Sequence, residues 1–338
     1  MAGLKQHFLP QFLMKGFQSR ISDGDPYTWI CWKDGRIFEA KAKNIGKEIG
    51  FYGFDGPDSL DENISDYEKE VAPKIDQLRQ CNSSCEIYDP SIADFVAHIA
   101  MRTRHLREAM ADALEDFSLM LMEYMENPDN LILIFKKGIA EKSNPKVREN
   151  ELHLALMGLS EEQQESLLVD YVRNNIEKAT PILQECRRQL EKQIRPVAFR
   201  GQLNALAKDV ISTGISVEYR KLHWHLLHTD CQLILGDLGV LNCFQPGAEY
   251  RIFPEKGKPL ESVFLPISSN HLLIGSNGLD ISNIRLAEIN AASARNSKEF
   301  FIGPHKYLVE RYRSEIGTHN PLITDEELKL LFEKAVQE

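Results

Sequence analysis

Residues 1–57 carry apolar positions without a helical period. Within them Tyr27-Thr-Trp-Ile-Cys-Trp32 and Ile37-Phe-Glu-Ala40 flank Lys33-Asp34-Gly35-Arg36. Aromatic and branched runs on either side of an Asp-Gly turn predict a hairpin. Phe51-Tyr-Gly-Phe-Asp-Gly-Pro57 predicts a loop. The period then changes. Leu60, Ile64, Val71, Ile75 and Leu78 recur at helical intervals behind Ser59 and Glu62, which stand at capping-box spacing. Pro73 is expected to kink or divide this helix. Ser91 is expected to cap a longer one, with a core stripe of Ile92, Phe95, Ile99, Leu106, Met110, Ala113, Phe117 and Leu121.

The pattern from 145 to about 228 is largely helical. Asn144-Pro145 opens one segment, and Ser160-x-x-Gln163 opens the next with a second capping box. Pro181, Pro196 and Gly201 are expected to interrupt the later helices. Short apolar runs bounded by Gly, Pro and Asn return after 230: Cys231-Gln-Leu-Ile-Leu235, Ser262-Val-Phe-Leu265 and His271-Leu-Leu-Ile-Gly275. Ser282 is expected to cap an alanine-rich helix reaching about Arg295. Phe300-Phe-Ile302 reads as a last strand, with helices after it.

Strands, helices, strands, helices without regular βαβ alternation predict an α+β fold. We expect a mixed or antiparallel sheet with strands from both chain ends and a largely helical middle. The corresponding segmentation is an N-terminal hairpin and helix over 1–90, a helical region over 91–230, and C-terminal strands and helices over 231–338 that complete the sheet, or one domain throughout. No internal repeat or low-complexity segment interrupts the pattern.

Composition narrows the class without changing the picture. At 338 residues, 43% apolar and 27% charged, the chain is an ordinary globular one with room for a sizeable core. A formal charge of −10 argues against non-specific coating of nucleic acid or anionic membrane, while leaving room for a local basic groove. No apolar run approaches the roughly 20 residues that span a bilayer. The opening Met-Ala-Gly-Leu-Lys-Gln-His has no signal-peptide pattern, and six scattered cysteines make no disulfide framework. A cytoplasmic location is the expectation.

Candidate chemistry begins with Glu68. Positions 64, 68, 71, 75 and 78 trace one helix face, and the others are Ile, Val and Leu. A carboxylate in such a stripe must be paired, protonated or bound, because a bare buried charge is very costly. It is read either as a structural ion pair or as a general base or metal ligand. Arg102, seven residues past Phe95, lies at nearly the same angle of its helix, so its guanidinium suits Glu68, a phosphate or a substrate carboxylate. Arg104 and Arg107 read as solvated charges, and Glu62 as a capping residue. Asp237 stands just past a strand end in Gly236-Asp237-Leu238-Gly239, either an active-site acid or an Asx-type turn. His7 is read as a proton shuttle, metal ligand or structural histidine. His223-Trp-His225-Leu-Leu-His228 is a weak metal pattern, since in a helix only His225 and His228 share a face. Arg220 with His225 fits a loose ribonuclease pattern, and Cys81-x3-Cys85 has no second cysteine pair. Phosphate-loop, dinucleotide, zinc-protease and serine-hydrolase motifs are absent.

Several short motifs together resemble a large, mainly bacterial family known only as domain of unknown function 4238. Gln6-His7-Phe8-Leu9-Pro10-Gln11-Phe12-Leu13-x-x-Gly16-Phe17 resembles its opening signature. Glu62-x5-Glu68 resembles its paired glutamates, and Arg102-Thr103 with Arg107 its arginine motif. Trp224-x-Leu226-Leu227 leads to Leu235-Gly236-Asp237-x-Gly239-Val240, where the family often has Thr-Ser-Asp-x-Pro, so the two glycines depart from its form. Leu265-Pro266-Ile267-Ser268 and Asn290 resemble its late motifs. The likeness spans roughly residues 5–305 and brings no established activity. It draws attention to polar positions: Gln6, His7, Glu68, Arg102, Asp237, Ser268 and Asn290.

The leading expectation is metal-assisted hydrolysis of a phosphodiester or nucleotide, in a defence or toxin setting. Glu68 and Asp237 would hold Mg²⁺ or Mn²⁺, His7 would shuttle a proton, and Arg102 would stabilise charge at phosphorus. Gln6, Ser268 and Asn290 would contact the substrate, with nucleic acid or a nucleotide as partner and no membrane. The rival is a non-catalytic binding or regulatory protein in which Glu68 pairs with Arg102, Asp237 caps a turn and His7 bonds to backbone. The hydrolase needs an open cleft; the rival needs these groups paired and closed.

Overall fold

A computed structural model describes residues 5–53, 60–140, 158–208, 213–244, 250–251, 259–278, 281–318 and 325–337. Strand β1 (Lys5–His7) and helix α1 (Gln11–Lys15) lead into β2 (Arg20–Ser22), β3 (Asp25–Trp32) and β4 (Ile37–Lys41). β3 and β4 are the expected hairpin. Gly35 sits at φ +80° and donates its N–H to the Trp32 carbonyl at 2.7 Å, a backbone conformation that glycine adopts without penalty. β5 (Lys47–Ile49), α2 (Leu60–Arg79), β6 (Cys85–Ile87) and α3 (Ser91–Met101) follow. Next come α4 (Arg104–Glu126), α5 (Pro128–Ala140), α6 (Glu161–Lys208) and α7 (Thr213–Tyr219). The remainder comprises β7 (His223–His228), β8 (Leu235–Gly236), β9 (Leu241–Cys243), β10 (Ser262–Ser268), β11 (His271–Ser276), α8 (Leu286–Asn296), β12 (Phe300–Gly303), α9 (Lys306–Arg311) and α10 (Asp325–Gln337).

Every strand pairing among the described residues is antiparallel, and the fold is α+β with strands from both chain ends in one sheet. That sheet has the order β2-β3-β12-β8, with β4 on the other side of β3. Trp32 pairs with Phe300 and Trp29 with Gly303, which joins the first hairpin to the late strand. A second sheet has the order β6-β7-β11-β10-β9, and β1 with β5 makes a small ribbon.

Contacts divide the chain into two compact units. Residues 1–109 with 199–322 hold all three sheets and the main core. Its centre is α3, in which each residue from Ile92 to Ala100 is buried, Asp94 and His98 included. A helix apolar on most sides belongs inside, and its buried polar groups then require partners. In the second unit, residues 110–198 with 323–338, the elements among the described residues are all helices. There Phe332 packs edge-on against Phe117 and Tyr124, at centroid distances of 5.3 and 5.9 Å. The Ser160 capping box closes in both directions. Gln163 N–H donates to Ser160 Oγ at 3.3 Å and Ser160 N–H to Gln163 Oε1 at 3.0 Å. No helix among the described residues is long and apolar enough to cross a membrane.

Several local expectations are corrected. α2 runs unbroken through Pro73, and α6 through Pro181 and Pro196. These prolines are exposed, so water can meet the carbonyl that each leaves without an N–H partner. α3 begins at Ser91 with Pro90, rather than Ser91, at its N-cap, and the Ser91 N–H donates to Asp89 Oδ1 at 2.9 Å. The long second helix is divided at Arg102-Thr103. Thr103 Oγ1 accepts the Leu106 N–H at 3.3 Å and starts α4, while the Gln202 amide donates to the carbonyls of Met101 and Thr103 at 3.1 and 3.0 Å. The histidine cluster lies on strand β7, where His223 and His225 share a face and His228 takes the other. The alanine-rich helix starts at Leu286, with Arg285 at its N-cap. Ser59 and Asn144-Pro145 lie outside the described residues.

Candidate functional site

The break after α3 sets the position of Arg102. As the C-cap of a buried helix it is only 1% exposed, and its guanidinium is surrounded by chain. Nε donates to the Tyr52 hydroxyl and Nη2 to the His7 carbonyl, both at 2.5 Å. Nη1 donates to Glu68 Oε1 and to Nε2 of His98, the latter at 3.0 Å. A guanidinium only donates, so His98 accepts there and carries its ring proton on Nδ1. Burial works against the charge on Arg102, but Tyr52 and Glu68 outweigh it and raise its pKa.

Glu68 lies on the Ile64, Val71 and Ile75 face of α2, with its side chain 25% exposed. Packing brings that face against Arg102, so the two oddities of the sequence meet as an ion pair. Asp61, two turns earlier on α2, also feels the Arg102 charge. Burial nevertheless raises its carboxyl pKa, with Arg102 and a hydrogen bond from Gln6 opposing.

The opening signature supplies clamps to the same network. The Gln6 side-chain oxygen accepts the Tyr52 N–H at 2.5 Å, and its amide donates to the Gly53 carbonyl at 3.2 Å. The His7 carbonyl also receives the Tyr52 hydroxyl at 3.0 Å. Its ring points to other partners: Nε2 lies 3.3 Å from the Lys43 carbonyl and Nδ1 3.4 Å from the Gln11 amide. Burial lowers the His7 pKa; the Lys43 bond opposes this, while the Lys47 and Arg102 charges add to it.

Asp237 belongs to a different set of bonds. Its carboxylate accepts the backbone N–H groups of Lys298, Glu299 and Phe300 at 3.0, 2.6 and 3.2 Å. Burial pushes its pKa up to about 6 even though the three donors oppose the shift. The two glycines around it have steric roles. A Cβ on Gly236 would stand 2.7 Å from the Ser293 carbonyl oxygen, so its absence lets α8 approach β8. Gly239 adopts φ +75°, which favours glycine. Asp237 borders a small cavity with Phe8, Arg104, His105, Leu238, Lys298 and Glu299.

Ser268 and Asn290 are engaged elsewhere. Ser268 Oγ lies 2.7 Å from Nδ1 of His271 and accepts the Asn270 N–H at 3.2 Å, closing the β10–β11 turn. Asn290 accepts the Ile234 N–H at 3.0 Å and donates to the Gln232 carbonyl at 2.9 Å, replacing a strand partner for that segment. Among the described residues, then, Gln6, His7, Glu68 and Arg102 meet in one network, and Asp237, Ser268 and Asn290 sit in three others. No group of three or more His, Cys, Asp or Glu among the described residues is placed to hold a metal ion.

Sequence reasoning missed Tyr52 and His98. Tyr52 sat in a stretch read only as loop. His98 had a usable signal: Asp94, His98 and Arg102 follow at four-residue intervals, one line along an otherwise apolar helix. Asp94 on that line accepts Nε and Nη2 of Arg220 at 2.8 and 2.7 Å, and the Ser216 hydroxyl at 3.0 Å.

A family model described as Protein of unknown function (DUF4238) matches residues 5–306. No curated protein and no solved structure matches the chain.

Proposed function

We propose, from the premise that this chain belongs to the DUF4238 family of proteins of unknown function, a non-catalytic binding or regulatory role. In this reading the family's polar residues hold the fold. The observation that carries it is the state of Arg102: each of its three nitrogens donates to a group of this chain, leaving the guanidinium closed in at 1% exposure. A phosphate clamp needs donors aimed at a ligand. The three N–H groups on Asp237 and the backbone bonds of Asn290 support the same reading.

A second reading keeps metal-assisted hydrolysis of a phosphodiester or nucleotide, with Mg²⁺ or Mn²⁺ at Asp237. One observation favours it: this carboxyl borders a cavity whose rim also carries Arg104, His105 and Lys298. Thermal unfolding with Mg²⁺, Mn²⁺, a nucleoside triphosphate and short RNA separates the two. Under the first reading, Glu68→Ala strands the Arg102 charge and costs about 3 kcal/mol. None of these ligands raises the melting temperature of the wild type. A rise with Mn²⁺ that Asp237→Asn abolishes while the protein stays folded would overturn that reading and select substrates for assay.

A further inference from the structure

Helix α2 ends at Arg79 and strand β6 begins at Cys85, so Cys81 and Cys85 bracket the turn Asn82-Ser83-Ser84. Both ends of this turn are fastened. Arg79 donates from Nε and Nη2 to the carbonyls of Ile267 and Leu13, at 2.8 and 3.0 Å, and fixes the helix end. The Cys81 N–H donates to the Leu78 carbonyl at 3.2 Å, and its own carbonyl accepts Nε2–H of His271 at 2.8 Å. Ser84 Oγ accepts the His228 N–H at 3.1 Å, and Cys85 pairs with Leu226 of β7.

The Cys81 thiol donates to the Gln77 carbonyl at 3.7 Å and stands close enough to Cys85 to add to the burial that raises the Cys85 pKa. Cys85, Cys186 and Cys231 are exposed and Cys81 partly so, whereas Cys31 and Cys243 are buried. A pair of thiols held side by side by the fold on an accessible turn has a high effective concentration of one for the other.

We propose that Cys81 and Cys85 form a reversible redox modification site, which closes to an intrachain disulfide on meeting a small-molecule disulfide. The Cys85 thiolate attacks one sulfur of the small disulfide, forming a mixed disulfide and expelling one small thiolate. The Cys81 thiolate then attacks the Cys85 sulfur and expels the second. Two cysteine sulfurs are oxidised by two electrons in all, the small disulfide is reduced to two thiols, and the two cysteine protons end on the departing sulfurs. The product joins the end of α2, the helix that carries Glu68, to edge strand β6. This site is independent of the role proposed for the buried polar network.

The full chain equilibrated in buffers of varied glutathione-to-glutathione-disulfide ratio, then alkylated and mapped by mass, tests the proposal. The expected result is concerted loss of Cys81 and Cys85 as alkylatable thiols, one bridged peptide linking the two, and recovery with dithiothreitol; glutathione on the exposed Cys186 and Cys231 maps to separate peptides. Cys81→Ser should stop at a mixed disulfide on Cys85. The equilibrium constant for closure should be about tenfold higher in the native chain than in the same chain unfolded in urea, since the fold brings the thiols together. A native constant equal to or below the unfolded one would overturn the proposal, as would a mixed disulfide at Cys85 that persists in the wild type.

Discussion

At Asp237 two effects oppose one another. Three backbone N–H groups favour the carboxylate, and removal from water favours the neutral acid; burial wins and the pKa rises to about 6. In an unfolded chain the same group titrates near 3.9. The folded protein therefore binds the proton more tightly. As pH rises from about 4 to 6, the folded state is progressively destabilised relative to the unfolded one, by about 3 kcal/mol once the window is passed. Other carboxylates titrate over the same range, so the difference between wild type and Asp237→Asn isolates this one. Denaturant unfolding at pH 4, 5, 6 and 7 should show the wild type gaining on the variant by that amount as the pH falls. A difference that stays flat across the window would mean that the carboxyl keeps its ordinary pKa.

Among the elements, the segment ahead of β8 depends on a side chain from α8. Asn290 takes the Ile234 N–H and gives to the Gln232 carbonyl, both on backbone that lacks a ladder partner there. Asn290→Ala should cost about 2 kcal/mol, the usual penalty for stranding buried polar groups. Hydrogen exchange should show the Ile234 amide losing protection while the amides of β11 keep theirs; equal loss in both would mean a global effect. Such placements show which elements could be read in advance. The hairpin at Asp34-Gly35 and the capping box at Ser160 were legible because each is fixed by a few adjacent residues. So was the Glu68 stripe, since a helix face is periodic. The division at Arg102-Thr103 was not, because it depends on Gln202, about a hundred residues away. β7 was misread because His223-Trp-His225-Leu-Leu-His228 suits either period, and its pairing with β6 and β11 decides. The candidate site was legible as a set of polar residues. Their division among four networks was not, because each set of partners is distant in sequence.

At the scale of the molecule, the unit made of residues 1–109 and 199–322 is closed by its last strand. β12 lies between β3 and β8, and the segment leading into it supplies all three N–H groups that receive Asp237. A chain truncated after residue 297 should therefore lose the central pairing of that sheet together with the Asp237 nest. Circular dichroism through a urea titration should show a broad, non-cooperative loss of signal in place of a single transition. A sharp transition at the wild-type midpoint would show that β12 is dispensable. The same topology bears on synthesis. Trp32 leaves the ribosome long before Phe300, its partner in the ladder. At roughly 5–20 residues per second the wait is about a quarter of a minute to a minute. For that time the nascent β3 carries an open edge, which makes the growing polypeptide a natural client for chaperones that shield exposed strands.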